Sequence, residues 1–174
     1  MFTIDYATEK DIPQMMYIIE ESLPLIPNPD WFVGDTAEFY ARHISECGFT
    51  LKAVSNSDGI LAAYFTVRYP KLDPDNCGYD LAFTESMLLQ TAHMETCVVH
   101  PSYRGHHLEA RLMASAIEIL KKTPYCHLLG TVHPDNIPSL KAFLSNGFRI
   151  EKTLKKYGGK LRHIMYLLNE THLL

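Results

Sequence analysis

Cys97-Val98-Val99-His100-Pro101-Ser102-Tyr103-Arg104-Gly105-His106-His107-Leu108 is the stretch on which the reading of this chain turns. Upstream, His93 to Val99 is β-rich and has the look of a buried strand. Downstream, Leu108, Leu112, Met113, Ala116, Ile117 and Leu120 recur at three and four, so Leu108 to Lys122 reads as an amphipathic helix. A strand therefore runs through a tight, glycine-containing loop into a helix. The first N–H groups of such a helix have no partner within it and the macrodipole is positive at that end, so the loop suits an anion such as a phosphate. Spacing alone leaves a plain connector equally open, because many strand-to-helix turns contain one glycine.

Working outward, Phe2 to Ala7 reads as a first strand. Thr8 and Asp11, three apart, resemble a capping box that opens a helix through about Ser22, with Ile12, Met15, Met16, Ile19 and Leu23 on its buried stripe. Pro24, Pro27 and Pro29 stop it. Asp35 with Glu38 repeats the capping pattern for a second helix carrying Phe39, His43 and Ile44 and ending near Gly48. Phe49 to Ser55 and Ile60 to Tyr69 form a hairpin around Asn56-Ser57-Asp58-Gly59. Residues 70–92 read as a loop with a short helix over Phe83 to Leu89. Beyond the central helix come a strand over Tyr125 to His133, a helix capped by Asp135 or Asn136 and ended by Gly147, and a hairpin of Phe148 to Lys156 with Leu161 to Leu168. The order βααββ(α)βαβαββ predicts an α/β layered domain spanning 1–174, its mixed sheet mostly antiparallel with a parallel pair in the middle.

Bulk properties narrow the function. A formal charge of -4, with Lys and Arg dispersed, gives no field for gathering nucleic acid. No run of about 18 apolar residues is present and the first residues lack a secretory pattern, so no membrane role and a cytoplasmic location are expected. Cys47, Cys77, Cys97 and Cys126 form no CxxC pair and read as reduced thiols.

V-x-P-x-Y-R-G before an apolar helix resembles the acyl-CoA-binding motif of the GNAT acetyltransferases, and Asn136-Ile137-Pro138-Ser139 followed by Gly147-Phe148 resembles that superfamily's second motif. The resemblance implies the GNAT fold, with two central parallel strands splayed apart, and acetyl-CoA or another acyl-CoA as co-substrate. It also implies that the backbone of Cys97, Val98 and Val99 holds the pantetheine arm, that Arg104, Gly105, His106, His107, Leu108 and Glu109 wrap the pyrophosphate, and that Asn136, with Ser139 and Phe143 on the same helix, lies against the cofactor. The implied reaction is N-acetylation of a primary amine on a small molecule or peptide. The alternative is an acyl-CoA-binding regulatory module with little turnover. Two departures separate this chain from the usual pattern. The loop's second glycine and third small residue are His107 and Glu109, and the Tyr that often serves as general acid is Phe143.

An amine must lose a proton to attack a thioester, so a base is wanted. Glu95 stands where related acetyltransferases commonly carry Glu, and period-two geometry would set His93, Glu95 and Cys97 on one strand face, with burial raising the Glu95 pKa. His93 has a similar case as the base. Tyr157 and His133 are the candidate proton donors to the leaving thiolate. His106-His107 lacks the spacing of a metal site, and no metal is expected. Cys97 reads as a small buried hydrophobe, and Arg162-His163 as an exposed hairpin edge before a pocket wall. The sequence leaves a homodimer open.

Overall fold

The computed structural model describes residues 1–170 of the chain; the last four residues of the expected 1–174 domain lie outside the described range. In chain order the elements are β1 (Phe2–Tyr6), α1 (Ile12–Ser22), α2 (Ala37–Ser45), β2 (Gly48–Ser55), β3 (Leu61–Arg68), α3 (Glu85–Leu89), β4 (Thr91–Val99), α4 (Leu108–Leu120), β5 (His127–Val132), α5 (Ile137–Ser145), β6 (Arg149–Lys156) and β7 (Lys160–Leu168). The seven strands form a mixed sheet in the order β1-β2-β3-β4-β5-β7-β6. Its parallel pair is β4 with β5, and every other neighbouring pair is antiparallel. The expected mixed α/β class and element order therefore hold.

Local chemistry explains most boundaries. The Asp11 carboxylate accepts the Thr8 N–H at 2.7 Å, and a short 3-10 turn leads into α1. The helix stops at Ser22, since Pro24 cannot continue it, and Leu23 lies beyond its end, exposed, instead of on the buried stripe. At α2 the cap is Thr36, which accepts the Phe39 N–H at 3.2 Å; Asp35, expected in that role, turns inward. Among the described residues three apolar clusters cover the sheet, the smallest formed by Cys77, Leu129, Ile164 and Tyr166. One of the others joins α4 and α5 to Ala92 and Met94 of β4 and to Leu128 and Val132 of β5, and the remaining one packs α1 and α2 onto Leu61, Tyr64 and Val98.

Two features of the sheet position the site. Along β4 the pairing with β3 runs from Thr66↔Thr96 to Val67↔Met94, which leaves Glu95 as the extra residue of a β-bulge. The bulge reverses the alternation. Ala92 and Met94 face α4, and so do Cys97 and Val99 beyond the bulge, whereas Val98 faces α1 and α2. His93 and Cys97 thus lie on opposite faces, not on the shared face that period two predicts. Second, β4 and β5 pair only at Thr91↔His127, Ala92↔Leu128 and His93↔Leu129. Beyond His93 the two strands carry no ladder, so the β5-facing backbone groups of β4 there are free for another partner.

Candidate active site

The gap between β4 and β5 opens on two cavities. A groove of about 810 Å³ runs from the α4 loop, past Val98 and Val99, to the start of α5. A smaller cavity of about 330 Å³ lies by the bulge. Both are lined by Trp31, Phe32, Cys97, Glu109 and Asn136, which mark their junction.

The groove joins a free strand edge to a helix N-terminus. Cys97 to Val99 present a strand edge without a ladder partner, and Arg104, Gly105, His107 and Leu108 wall the end at the α4 N-terminus. Gly105 has φ 85° and His107 has φ 55°, so the loop needs the left-handed region at the very position where the family's motif carries glycine. The His106 ring packs on Phe2 at 5.2 Å between centroids and does not line the groove. Glu109 is not turned toward the loop. Its carboxylate accepts the Ser139 hydroxyl at 2.6 Å and bridges α4 to α5, and burial pushes its pKa up despite that bond. Asn136 caps α5, its side chain accepting from the Ser139 N–H. The indole N–H of Trp31 is buried with no acceptor among the described residues, a donor at the junction suited to a carbonyl of a bound thioester arm. Phe143 is buried against Gly130 and stacks edge-on with Phe148 at 5.0 Å, so an aromatic ring without a hydroxyl fills that wall.

The smaller cavity is charged. His93 Nε2 accepts the Cys77 N–H at 3.1 Å, which fixes the imidazole proton on Nδ1, 3.3 Å from a Glu95 oxygen. The Nε2 lone pair is thereby occupied. Burial works to raise the Glu95 pKa, but the hydrogen bond and charge of His93 and the Arg68 charge, 3.9 Å away, hold it below the ordinary value. This reverses the expected direction, because the sequence shows the burial but not the two partners. Arg68 is itself clamped by Asp75 at 2.7 and 2.8 Å and by Asp73 at 2.9 Å.

Asp35, read from sequence as a helix cap, is with Glu109 one of two cavity carboxyls whose basicity is raised. Burial, opposed by the 2.6 Å bond from Thr96 Oγ1 and assisted by the Glu95 charge, lifts its pKa to about 6. No local pattern distinguishes it from a cap; Asp-Thr offers two capping residues in a row. Tyr157 lines the same cavity with its hydroxyl 3.3 Å from Thr131, and burial raises its pKa. His133 is buried, its Nδ1 accepting the Asp135 N–H at 3.1 Å, and it does not line the cavity. Cys97 is a high-pKa thiol, raised by burial and by Glu109. Arg162, expected on an exposed edge, is 3% exposed and lines the cavity, because β7 lies between β5 and β6 and is not an edge strand.

Known proteins share this architecture. A model of the acetyltransferase (GNAT) family matches residues 26–148. The ribosomal-protein-S18-alanine N-acetyltransferase from Escherichia coli superposes with a TM-score of 0.71 at 18% identity, over 99% of this chain and 96% of its own. A protein from Salmonella typhimurium described as an acetyltransferase, solved with its cofactor acetyl-CoA, gives 0.69 at 20% identity over 99% and 96%. The ribosomal-protein-S5-alanine acetyltransferase from Vibrio fischeri gives 0.73 at 13% identity over 97% and 93%. At these identities the likeness is one of fold. No curated protein sequence matches the chain significantly.

Proposed function

The chain belongs to the acetyltransferase (GNAT) family, and from that premise we propose that it is an N-acetyltransferase acting by direct transfer to a primary amine of a small molecule or peptide. Acetyl-CoA-dependent acetyl transfer is the general reaction of the family. The observation that carries the reading is the gap between β4 and β5, where the groove meets the charged cavity at Cys97, Glu109 and Asn136. An elongated donor and a small cationic acceptor would meet there.

Acetyl-CoA supplies an acyl group already activated as a thioester. The free edge of Cys97 to Val99 and the Trp31 N–H hold the arm in line, and Arg104, Gly105 and His107 with the α4 N-terminus receive the phosphates. Glu95 attracts the acceptor ammonium, and His93 positions Glu95. Asp35, with its pKa of about 6, takes one proton from the ammonium; the freed amine attacks the thioester carbon, the C–S bond breaks, and the second nitrogen proton, lost as the amide forms, balances the one the thiolate gains. A carboxyl held below its ordinary value, as Glu95 is, makes a poorer base near neutral pH. We assign protonation of the departing thiolate to Tyr157, whose hydroxyl lines the cavity 3.3 Å from Thr131, since Phe143 cannot fill that role.

The test is free-thiol release from acetyl-CoA with a panel of primary amines, alongside calorimetric binding. Asp35→Asn should lower kcat on the order of 100-fold with acetyl-CoA affinity unchanged, and Glu95→Gln should cost less. A larger loss in Glu95→Gln than in Asp35→Asn would move the proton to Glu95. Binding of acetyl-CoA with no turnover on any amine would leave a regulatory acyl-CoA-binding module in place of an enzyme.

A further inference from the structure

Arg162 has no use in the reaction just described. It is 3% exposed on β7 and lines the acceptor cavity. Its Nη1 donates to the Leu161 carbonyl at 2.8 Å, and among the described residues no carboxylate lies within 4 Å of its guanidinium. The Tyr157 ring is 5.6 Å away, and Asp30, the acidic residue whose charge reaches it, is exposed beside Lys160. Arg68, on the wall of the same cavity, shows the contrast: it donates three hydrogen bonds to two aspartates, which satisfy it. A guanidinium cannot discharge itself by losing a proton, and a buried one without a counter-charge is costly to keep. Its remaining donors match the planar, two-oxygen geometry of a carboxylate.

Resting on the acetyl-transfer reading above, we propose that Arg162 anchors a carboxylate of the acceptor, and that the acceptor is a free amino acid. The ammonium end is drawn by Glu95 and Asp35, the carboxylate end by Arg162, and the cavity wall supplies both signs of charge. A space of about 330 Å³ suits a molecule of that size better than the end of a folded chain. Arg162 lies in a strand between two others, so the anchor is rigid.

The experiment uses the full chain with acetyl-CoA and compares the twenty L-amino acids with their carboxamides, with the matching decarboxylated amines and with dipeptides. The expected result is a kcat/KM for the best amino acids at least about tenfold above their carboxamides. Arg162→Lys and Arg162→Met should raise KM for amino acids by a similar factor and KM for the decarboxylated amines by much less, so that the preference for the acids collapses. Carboxamides and amines used as well as the acids would overturn this inference and leave N-acetyl transfer standing. Dipeptides preferred over free amino acids would overturn the free-amino-acid assignment. No acetylation of any amine despite acetyl-CoA binding would overturn both readings together. If both Arg162 variants fail to fold, the wild-type comparison of acid with carboxamide decides alone.

Discussion

Replacing Asp35 by Asn should make the protein more stable while making it slower. Burial raises the Asp35 pKa from 3.8 to about 6, so the folded state binds more protons than the unfolded state between those values, and stability falls as pH rises through that window. The cost is complete above about pH 6 and absent below the unfolded value. Each pKa unit is about 1.36 kcal/mol, which sets a ceiling near ~3 kcal/mol; partial hydration of a carboxyl that reaches the cavity reduces it to about 1.5 kcal/mol. Asn keeps an oxygen for the Thr96 hydroxyl and carries no charge to desolvate. Urea unfolding at pH 7.5 should place Asp35→Asn above wild type by about 1.5 kcal/mol, or roughly 3–6 °C in Tm. At pH 4 the two should converge. A gap of equal size at both pH values, or a wild type more stable at pH 7.5, would show that no raised carboxyl is present and would refute the assignment of Asp35 as the base.

Two further outcomes test the site. His107→Gly should leave or improve acetyl-CoA affinity and cost little stability, because φ 55° is the strained region for His and the natural one for glycine; calorimetry showing more than a tenfold loss of affinity would make His107 a phosphate ligand instead. Gly130→Ala should destabilise by about 1–3 kcal/mol in thermal melts, since the added methyl would meet the Phe143 ring, 2.6 Å from Cε1, in a packed core; an unchanged Tm would mean that the ring moves freely.

What the sequence disclosed and what it hid divide along one physical line. The α4 loop, the second motif and both hairpins are local patterns, and their elements appear close to where period, caps and turn residues place them. Glu95 is legible by position, but its pKa is not, because Arg68 reaches it across the pairing of β4 with β3 and the bulge turns the His93 ring onto it. The bulge has no glycine or proline to announce it. Asp35 and Arg162 were both misplaced for the same reason: a carboxylate beside a threonine reads as a cap, and an arginine near a Gly-Gly turn reads as an edge. Only the sheet order buries β7, and only the cavity shows that Asp35 has turned inward.

The bulge makes β4 a strand whose parity changes midway. Counting from Thr91, every residue up to Met94 belongs to one numbering of inside and outside, and every residue from Thr96 onward to the other. Losing one residue at that point would restore an even strand and move Cys97, Val98 and Val99 each to the opposite wall, although none of the three is itself altered. A deletion of the same size in the loop between Pro70 and Cys77 would alter no such assignment. The working half of β4 is thus specified by chain length as much as by residue type, and at this one place a single-residue gap is a larger change than most substitutions.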